Sequence, residues 1–338
     1  MSVTIKDVAK EADLSVATVS RVLNHSSNVS EEAVTRVNDA IRKLGYSPNF
    51  LGRNLRKRET NVILVIMPTS EHTFYQKIIA GIQRCAQPRG YDIISAASNS
   101  TSEIEVRQMN MLFNRTVDGV ILLGTSYSAE TLNTLKKDYD IALCCEGVEG
   151  ADVLTVVVDD EQAAFDAVKA LAELGHRKIG FIGANDTAAS SRRRRMGYLR
   201  ALADCGLDIK PEYMCLGTFE YEHGAAGIEA LMTLPDPPTA VFCVSDLLAI
   251  SAIHKASEMG IEIGTELSVM GFDNITMCEM MLPTVSTVEQ PCSVLGETVV
   301  SKLISNFGKP LEKKDNVQYT VPHRVIMRDS VGRPSENN

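Results

Sequence analysis

No stretch of about 18 consecutive apolar residues occurs anywhere in the 338-residue chain, which excludes an apolar helix that crosses a membrane. The opening residues, Met1-Ser2-Val3-Thr4-Ile5-Lys6-Asp7, contain no long apolar segment of the secretory kind, so the expected compartment is the cytoplasm. The eight cysteines include no C-x-x-C pair, and several stand inside apolar runs. They read as reduced core thiols, and neither a disulfide framework nor a zinc site is expected. The six histidines lack metal-ligand spacing, so no metal and no cofactor is implied. The chain also lacks a G-x-x-x-x-G-K-[ST] loop, a G-x-G-x-x-G after a strand, and a G-x-S-x-G elbow. Those absences argue against an enzyme built on nucleotide binding or a serine nucleophile.

The composition is that of a globular protein, 44% hydrophobic and 23% charged, long enough for two or three domains. A net charge of −9 argues by itself against nucleic acid, but the charge is unevenly distributed. Residues 1–60 hold ten Lys/Arg against seven Asp/Glu, leaving 24 basic and 36 acidic residues in the remainder. A small basic head on a large acidic body suggests that only the head meets a polyanion.

Residues 1–46 read as three short helices. Ile5, Val8, Ala9 and Ala12 recur at helical spacing behind Thr4, a candidate N-cap. Asp13-Leu14 makes a turn, Ser15 caps a second helix, and Val16, Val19, Val22 and Leu23 are expected to point inward. After the loop 24–28, Ser30 caps a third helix with Glu31 and Glu32 in its first turn. Its expected apolar face is Val34, Val37, Ile41 and Leu44, and Gly45 ends it. Residues 47–60 form a linker with Pro48 and the basic run Arg53, Arg56, Lys57 and Arg58.

From Asn61 onward, short Val/Ile/Leu runs alternate with helical patterns. The expected strands are Val62–Met67, Tyr91–Ser95, Gly119–Leu123, Ile141–Cys145 and Val153–Val158, then Lys178–Ile182, Met214–Gly217, Ala240–Val244 and Ser268–Gly271. Such runs are typical of parallel strands buried on both faces. Two sets predict two α/β lobes joined near Asp159–Gln162, with a cleft beyond the carboxyl ends of the strands.

Two helices joined by a short turn, the second begun by a cap, fit a helix-turn-helix. The outward positions of the second helix, Ala17, Thr18, Ser20 and Arg21, suit a major groove. Arg can bond guanine O6 and N7 together, and small or Thr side chains can touch a thymine methyl. The helix pattern fits a three-helix bundle with an ordinary solvated face equally well.

The residues themselves separate these readings. Thr4-Ile5-Lys6-Asp7-Val8-Ala9, Ser15 through Asn24 (SVATVSRVLN) and Gly45-Tyr46-Ser47-Pro48-Asn49 resemble the LacI/GalR family of bacterial transcriptional regulators. In the body, Glu173 through Gly180 (ELGHRKIG), Gly197-Tyr198, Ser245-Asp246, Gly271-Phe272-Asp273-Asn274 and Val288-Glu289-Gln290-Pro291 resemble that family's recurrent motifs, so the likeness covers residues 4–328. It implies an all-α helix-turn-helix head (1–46), a hinge helix and linker (47–60), and two doubly wound α/β lobes similar to periplasmic binding proteins (61–330). Lobe one would take about 61–160 plus 292–320, lobe two about 161–290 plus 321–330, and 331–338 would be a tail.

The implied DNA contacts are Thr4, Ser15, Ala17, Thr18, Ser20, Arg21, Asn24, Asn28 and Tyr46 in the head, with Asn49, Arg53, Leu55 and Arg56 in the hinge. Leu55 aligns with the family's minor-groove wedge, which unstacks a central base step to admit a kink; its alternative is packing on its own domain. Gly52 departs from the family, which usually has Ala there. Gly costs a helix interior about 1 kcal/mol, so the hinge helix is expected to form reluctantly.

For the body the resemblance implies a small effector, a sugar or sugar derivative, bound between the lobes. Its implied site residues are Phe74, Tyr75, Glu146, Arg194, Phe219, Ser245, Asp246 and Asp273. Phe74 and Tyr75 can instead pack at a helix start, Glu146 can be an exposed loop acid, and Asp246 can cap the following helix. Gln290 is expected at a crossing between lobes. Within Arg192-Arg193-Arg194-Arg195 only Arg194 is expected to face the cleft, because consecutive helical side chains diverge. The resulting expectation is a homodimeric regulator, a repressor more than an activator, that binds a near-palindromic operator under effector control. The rivals are an enzyme, a transport-type binding protein, and a regulator governed by a partner protein.

Overall fold

The computed structural model describes residues 3–23, 29–46, 59–185 and 188–335. The chain divides into two compact units, residues 1–59 and 60–338.

The first unit contains α1 (Ile5–Ala12), α2 (Val16–Leu23) and α3 (Glu31–Leu44). Thr4 opens α1, its N–H and hydroxyl both donating to the Asp7 carboxylate at 2.8 and 2.7 Å. These bonds hold the Asp7 carboxyl below its ordinary value. Asp13 turns the chain in the left-handed region (φ 51°), as its short polar side chain permits. Ser15 Oγ accepts from the Thr18 N–H at 3.0 Å, starting α2, and Ser30 does the same for Ala33 at the start of α3. Gly45 closes α3 at φ +60°. Val8, Ala9, Ala12, Val19, Val22, Val37 and Ala40 form the small core.

Two expected core positions are corrected. Val34 is exposed, because the stripe actually buried on α3 is Ala33, Val37 and Ala40, and Val34 lies about 100° round the helix from Ala33. Val16 is 41% exposed; in the first turn of α2 its side chain leans off the end of the helix. Ile5, Leu23, Ile41 and Leu44 are half-buried on the core edge.

The second unit holds two six-stranded sheets. In the first the order is β11-β5-β4-β3-β1-β2: Gln318–Val321, Leu154–Val158, Asp140–Cys144, Gly119–Leu122, Val62–Met67 and Asp92–Ala97, all parallel. In the second the order is β12-β10-β9-β8-β6-β7: Arg324–Ile326, Ser286–Glu289, Ser268–Asp273, Ala240–Cys243, Ile179–Ala184 and Met214–Gly217. Here only β12 runs antiparallel. Strand β1 shows why the apolar runs lack alternation. Ile63, Val65 and Met67 enter the large core shared by both lobes, and Leu64 and Ile66 enter a second core on the opposite face.

Helices α4 (Thr73–Ala86), α5 (Ser102–Phe113), α6 (Ala129–Leu135) and α12 (Cys292–Asn306) accompany the first sheet. Helices α7 (Asp160–Glu173), α8 (Ala189–Asp204), α9 (Tyr221–Met232), α10 (Asp246–Glu258) and the short α11 (Met277–Met280) accompany the second. The chain passes between lobes after β5 at Asp159, after β10 at Gln290-Pro291, and after β11 at Pro322-His323. Asp159 begins α7 by accepting from the Gln162 N–H at 3.0 Å. Gly197 lets α8 lie against α7: a Cβ there would stand 2.2 Å from the Glu161 carbonyl oxygen.

Three strands escaped the sequence reading: Ser286–Glu289, Gln318–Val321 and Arg324–Ile326. Each has three or four residues, and β11 and β12 lie at sheet edges with half-exposed faces, so they need no apolar run. The others match the expected strands to within a few residues. One shift matters for the site: β9 extends through Asp273, which the sequence placed beyond the strand.

Candidate functional site

On helix α2, Ala17 and Arg21 are exposed and Thr18 and Ser20 half-buried, while Val19 and Val22 anchor the opposite side. The proposed DNA contacts Thr4 and Ser15 spend hydroxyls on starting helices, which fixes the pitch of α1 and α2 relative to the turn. Tyr46 packs half-buried on the head core, its N–H bonded to the Ile41 carbonyl at 3.1 Å. Asn24, Asn28, Asn49, Arg53, Leu55 and Arg56, with Gly52, lie outside the described residues.

In the body, the carboxyl ends of β4, β5, β8 and β9 converge on one polar cluster. Arg194 on α8 is its centre. Its Nε donates to Asp160 Oδ1 at 2.8 Å, its Nη1 donates to the Val244 carbonyl at 2.7 Å, and Nη1 stands 3.6 Å from Asp273 Oδ1. The guanidinium lies 3.8 Å from the centroid of the Phe272 ring, a cation–π contact in a dry setting. Burial opposes its charge, but Asp160, Asp273 and Glu146 outweigh that and raise its pKa. Of the four consecutive arginines only Arg194 is buried.

Asp273 ends β9 in a left-handed conformation (φ 115°), followed by Asn274 at 55°. Such backbone angles cost a non-glycine residue of order 1–3 kcal/mol and persist only where the surroundings enforce them. Here Gln290 Nε2, at the crossing between lobes, donates to Asp273 Oδ1 at 2.7 Å. Burial holds the Asp273 carboxyl above its ordinary range despite the nearby arginine.

Glu146, just past β4 in the first lobe, accepts from the Ser190 hydroxyl and, at 3.4 Å, from the Ser190 N–H in the second. Burial, with Asp160 reinforcing it, raises its carboxyl above the ordinary value. Lys77 on α4 also reaches across, donating to the Asn274 carbonyl at 2.9 Å. The hydroxyl of Tyr75, on α4 of the first lobe, is pushed up by burial and by Cys145, Glu146 and Asp273.

The other sequence candidates lie apart from these contacts. Phe74 is buried in the core and touches Tyr75 edge-on, centroids 5.3 Å apart. Phe219 packs half-buried on the core beyond β7. The Ser245 hydroxyl caps α10 by accepting from the Leu248 N–H at 3.4 Å, so the cap is Ser245 and Asp246 is the first helical residue. Asp246 lies beneath the cluster, accepting from the Ile275 N–H at 2.8 Å and the Thr287 hydroxyl at 2.5 Å. Gly271 makes room for that carboxylate, since a Cβ there would sit 2.3 Å from it. Burial and the neighbouring Asp273 push Asp246 up to about 7.

The sequence reading missed Asp160, Ser190 and Lys77. Asp160 was accessible to it, because this residue stands two positions past a strand and falls under the same carboxyl-end rule that selected Asp273. Nothing in local pattern marked Ser190 or Lys77, whose partners lie across the lobe boundary.

A helix-turn-helix head and a two-lobed α/β body with charged groups gathered where the lobes meet are the architecture of a DNA-binding regulator. Residues 4–49 match the family model described as bacterial regulatory proteins, lacI family, and residues 60–328 match that of periplasmic binding proteins and the sugar binding domain of the LacI family. Catabolite control protein A of Priestia megaterium is 33% identical over 332 residues, 98% of this chain and 99% of that protein. The HTH-type transcriptional repressor CytR of Escherichia coli (strain K12) is 34% identical over 305 residues, 90% of this chain and 89% of that one. Among solved structures, the transcriptional regulator CelR in complex with cellobiose superposes with a TM-score of 0.72 at 27% identity, over 97% of this chain and 99% of that one. The chain belongs to the LacI family. It is a DNA-binding transcriptional regulator with a sugar-binding type of body. No helix among the described residues is long and apolar enough to cross a membrane.

Proposed function

We propose that the head (1–46) reads a near-palindromic operator as a homodimer, through a hinge and linker (47–60), and that a small carbohydrate binding between the lobes of 61–330 sets its grip. In the head, α2 enters the major groove with Ala17, Thr18, Ser20 and Arg21 toward base edges. Thr4, Ser15, Asn24, Asn28, Tyr46, Asn49, Arg53 and Arg56 serve the backbone and register, and Leu55 is the wedge.

The observation that carries the effector reading is the cluster around Arg194. A buried guanidinium and the carboxylates of Glu146, Asp160 and Asp273 stand where strands from both lobes end. Carboxylates and an arginine are the groups that grip pairs of sugar hydroxyls, and Tyr75 offers a planar wall. Phe74 and Phe219 support the pocket from behind, and Ser245 and Asp246 hold its floor. CelR, with cellobiose bound, is a relative with this architecture.

Coupling follows from the three crossings. A ligand that bridges Glu146 and Arg194 favours one lobe arrangement, and operator favours whichever arrangement brings the two hinges of a dimer together. Each ligand acts only through its different affinity for the two states. Calorimetry of the full chain with a panel of neutral sugars and sugar derivatives tests this. The expected result is saturable binding of at least one, lost in Asp273→Ala; a panel that gives no binding in wild type turns the reading toward control by a protein partner.

A further inference from the structure

The arginine run leaves three residues that the cleft does not use. Arg192, Arg193 and Arg195 line, with Ala189 and Met196 on α8, a cavity of about 200 Å³ whose opposite wall is Glu149 from the first lobe. Arg193 also borders a second cavity of about 220 Å³ against β5 and β11 of the first lobe, beside Asp159 and Glu161. Both cavities therefore lie on the seam between lobes, and Arg193 belongs to both.

Three of the nearby acids are already engaged, and Glu149 faces the cavity. Asp159 accepts from the Gln162 N–H, and Glu161 pairs with Arg200 at 2.5 Å. Arg194 takes Asp160. Arg193 and Arg195, each half-buried, make no ion pair with a carboxylate among the described residues. In a body with 24 basic and 36 acidic residues, two partly desolvated guanidinium groups with no carboxylate partner among the described residues leave room for an anion. The wall of the first cavity carries Arg193 and Arg195 beside Arg192, which has a partner of its own, and one carboxylate, Glu149. It also carries Ala189, the first residue of a sixteen-residue helix with no acid in its first turn, so the helix dipole adds to the positive field.

The geometry points to a second ligand site, separate from the interior cluster, in which Arg193 and Arg195 hold the phosphoryl group of a small phosphorylated metabolite at the lobe seam. Guanidinium forks match phosphoryl oxygens in charge and spacing. The acid-rich interior around Glu146, Asp160 and Asp273 repels such a group, so the two sites sort ligands by charge. An anion held on α8 faces the Glu149 carboxylate of the first lobe, so its charge acts on the lobe separation from outside the cleft and biases the same equilibrium as the interior effector.

Inorganic pyrophosphate is the probe, titrated calorimetrically into the full-length protein at constant ionic strength. Wild type is expected to bind it saturably, one per chain. Arg193→Gln/Arg195→Gln is expected to weaken binding at least about tenfold, or about 1.4 kcal/mol. Arg84→Gln/Arg89→Gln removes the same charge from elsewhere on the body and is expected to leave affinity within about twofold. No saturable binding in wild type, or equal loss in both double variants, overturns the site. If the Arg193/Arg195 pair fails to fold, Arg195→Gln alone carries the test, with a drop of about threefold expected and none overturning it.

Discussion

A single guanidinium organises the polar cluster where the two lobes meet. Arg194 is buried beside Asp160 and Asp273. Taking such charges out of water is costly, and their mutual attraction offsets the cost only while the set stays complete. Asp273→Ala should therefore abolish the effector response while leaving operator affinity without effector nearly intact; a normal dose response in a DNA-binding assay removes Asp273 from the pocket. In the head, Arg21→Ala should cost about 1–3 kcal/mol on operator and relax preference at one position of each half-site. Equal losses on operator and random duplex count against direct readout. A third test is the floor residue. Asp246 titrates near 7 in the folded protein against an ordinary 3.8, so between those values the folded state binds a proton that the unfolded state has lost. Its contribution to stability is fully favourable below the lower value and falls as pH rises toward the upper one. Thermal melts from pH 4 to 8 should show Asp246→Asn losing less stability with rising pH than wild type does; parallel curves contradict the assignment.

At the scale of elements, close approach matters more than propensity. Gly197 sits where α8 meets the backbone of α7, and any Cβ must displace one helix. Gly197→Ala should destabilise the body by about 1–3 kcal/mol and shift Arg194, which lies one turn away on the same helix, so effector affinity should fall with stability. Denaturant unfolding and calorimetry check both, and an unchanged midpoint argues against that contact. In the hinge, Gly52→Ala should tighten operator binding by restoring about 1 kcal/mol of helix propensity per subunit, and unchanged affinity says the segment is not helical on DNA. Elements were legible in the sequence where periodicity is strong, as in Val62–Met67 or Glu31–Leu44. The head's caps were legible too, because Ser15, Ser30 and Gly45 act within three residues of their own position. Strands β10 to β12 were not, since short strands paired at the lobe crossings need little apolar pattern. The site split along the same line. Arg194, Glu146 and Asp273 follow from motif and strand end, whereas Ser190 and Lys77 matter only because two lobes meet, and no local spacing encodes that.

For the whole molecule, the acidic body and the basic head divide the work. The head carries the groups suited to a duplex, and the body carries polar groups between lobes whose separation, in the proposed function, a ligand sets. Glu146 to Ser190 and Lys77 to Asn274 are direct bonds across that boundary, so a ligand inserted there must exchange them for its own. The most direct measurement is operator affinity with and without a carbohydrate that raises the protein's thermal stability, using palindromic duplexes selected by the full-length protein at low ionic strength. The sugar should change operator affinity by some factor, and operator should change sugar affinity by the same factor. Failure to retain any palindromic duplex with or without sugar, or an operator affinity that a bound sugar leaves unchanged, contradicts the account.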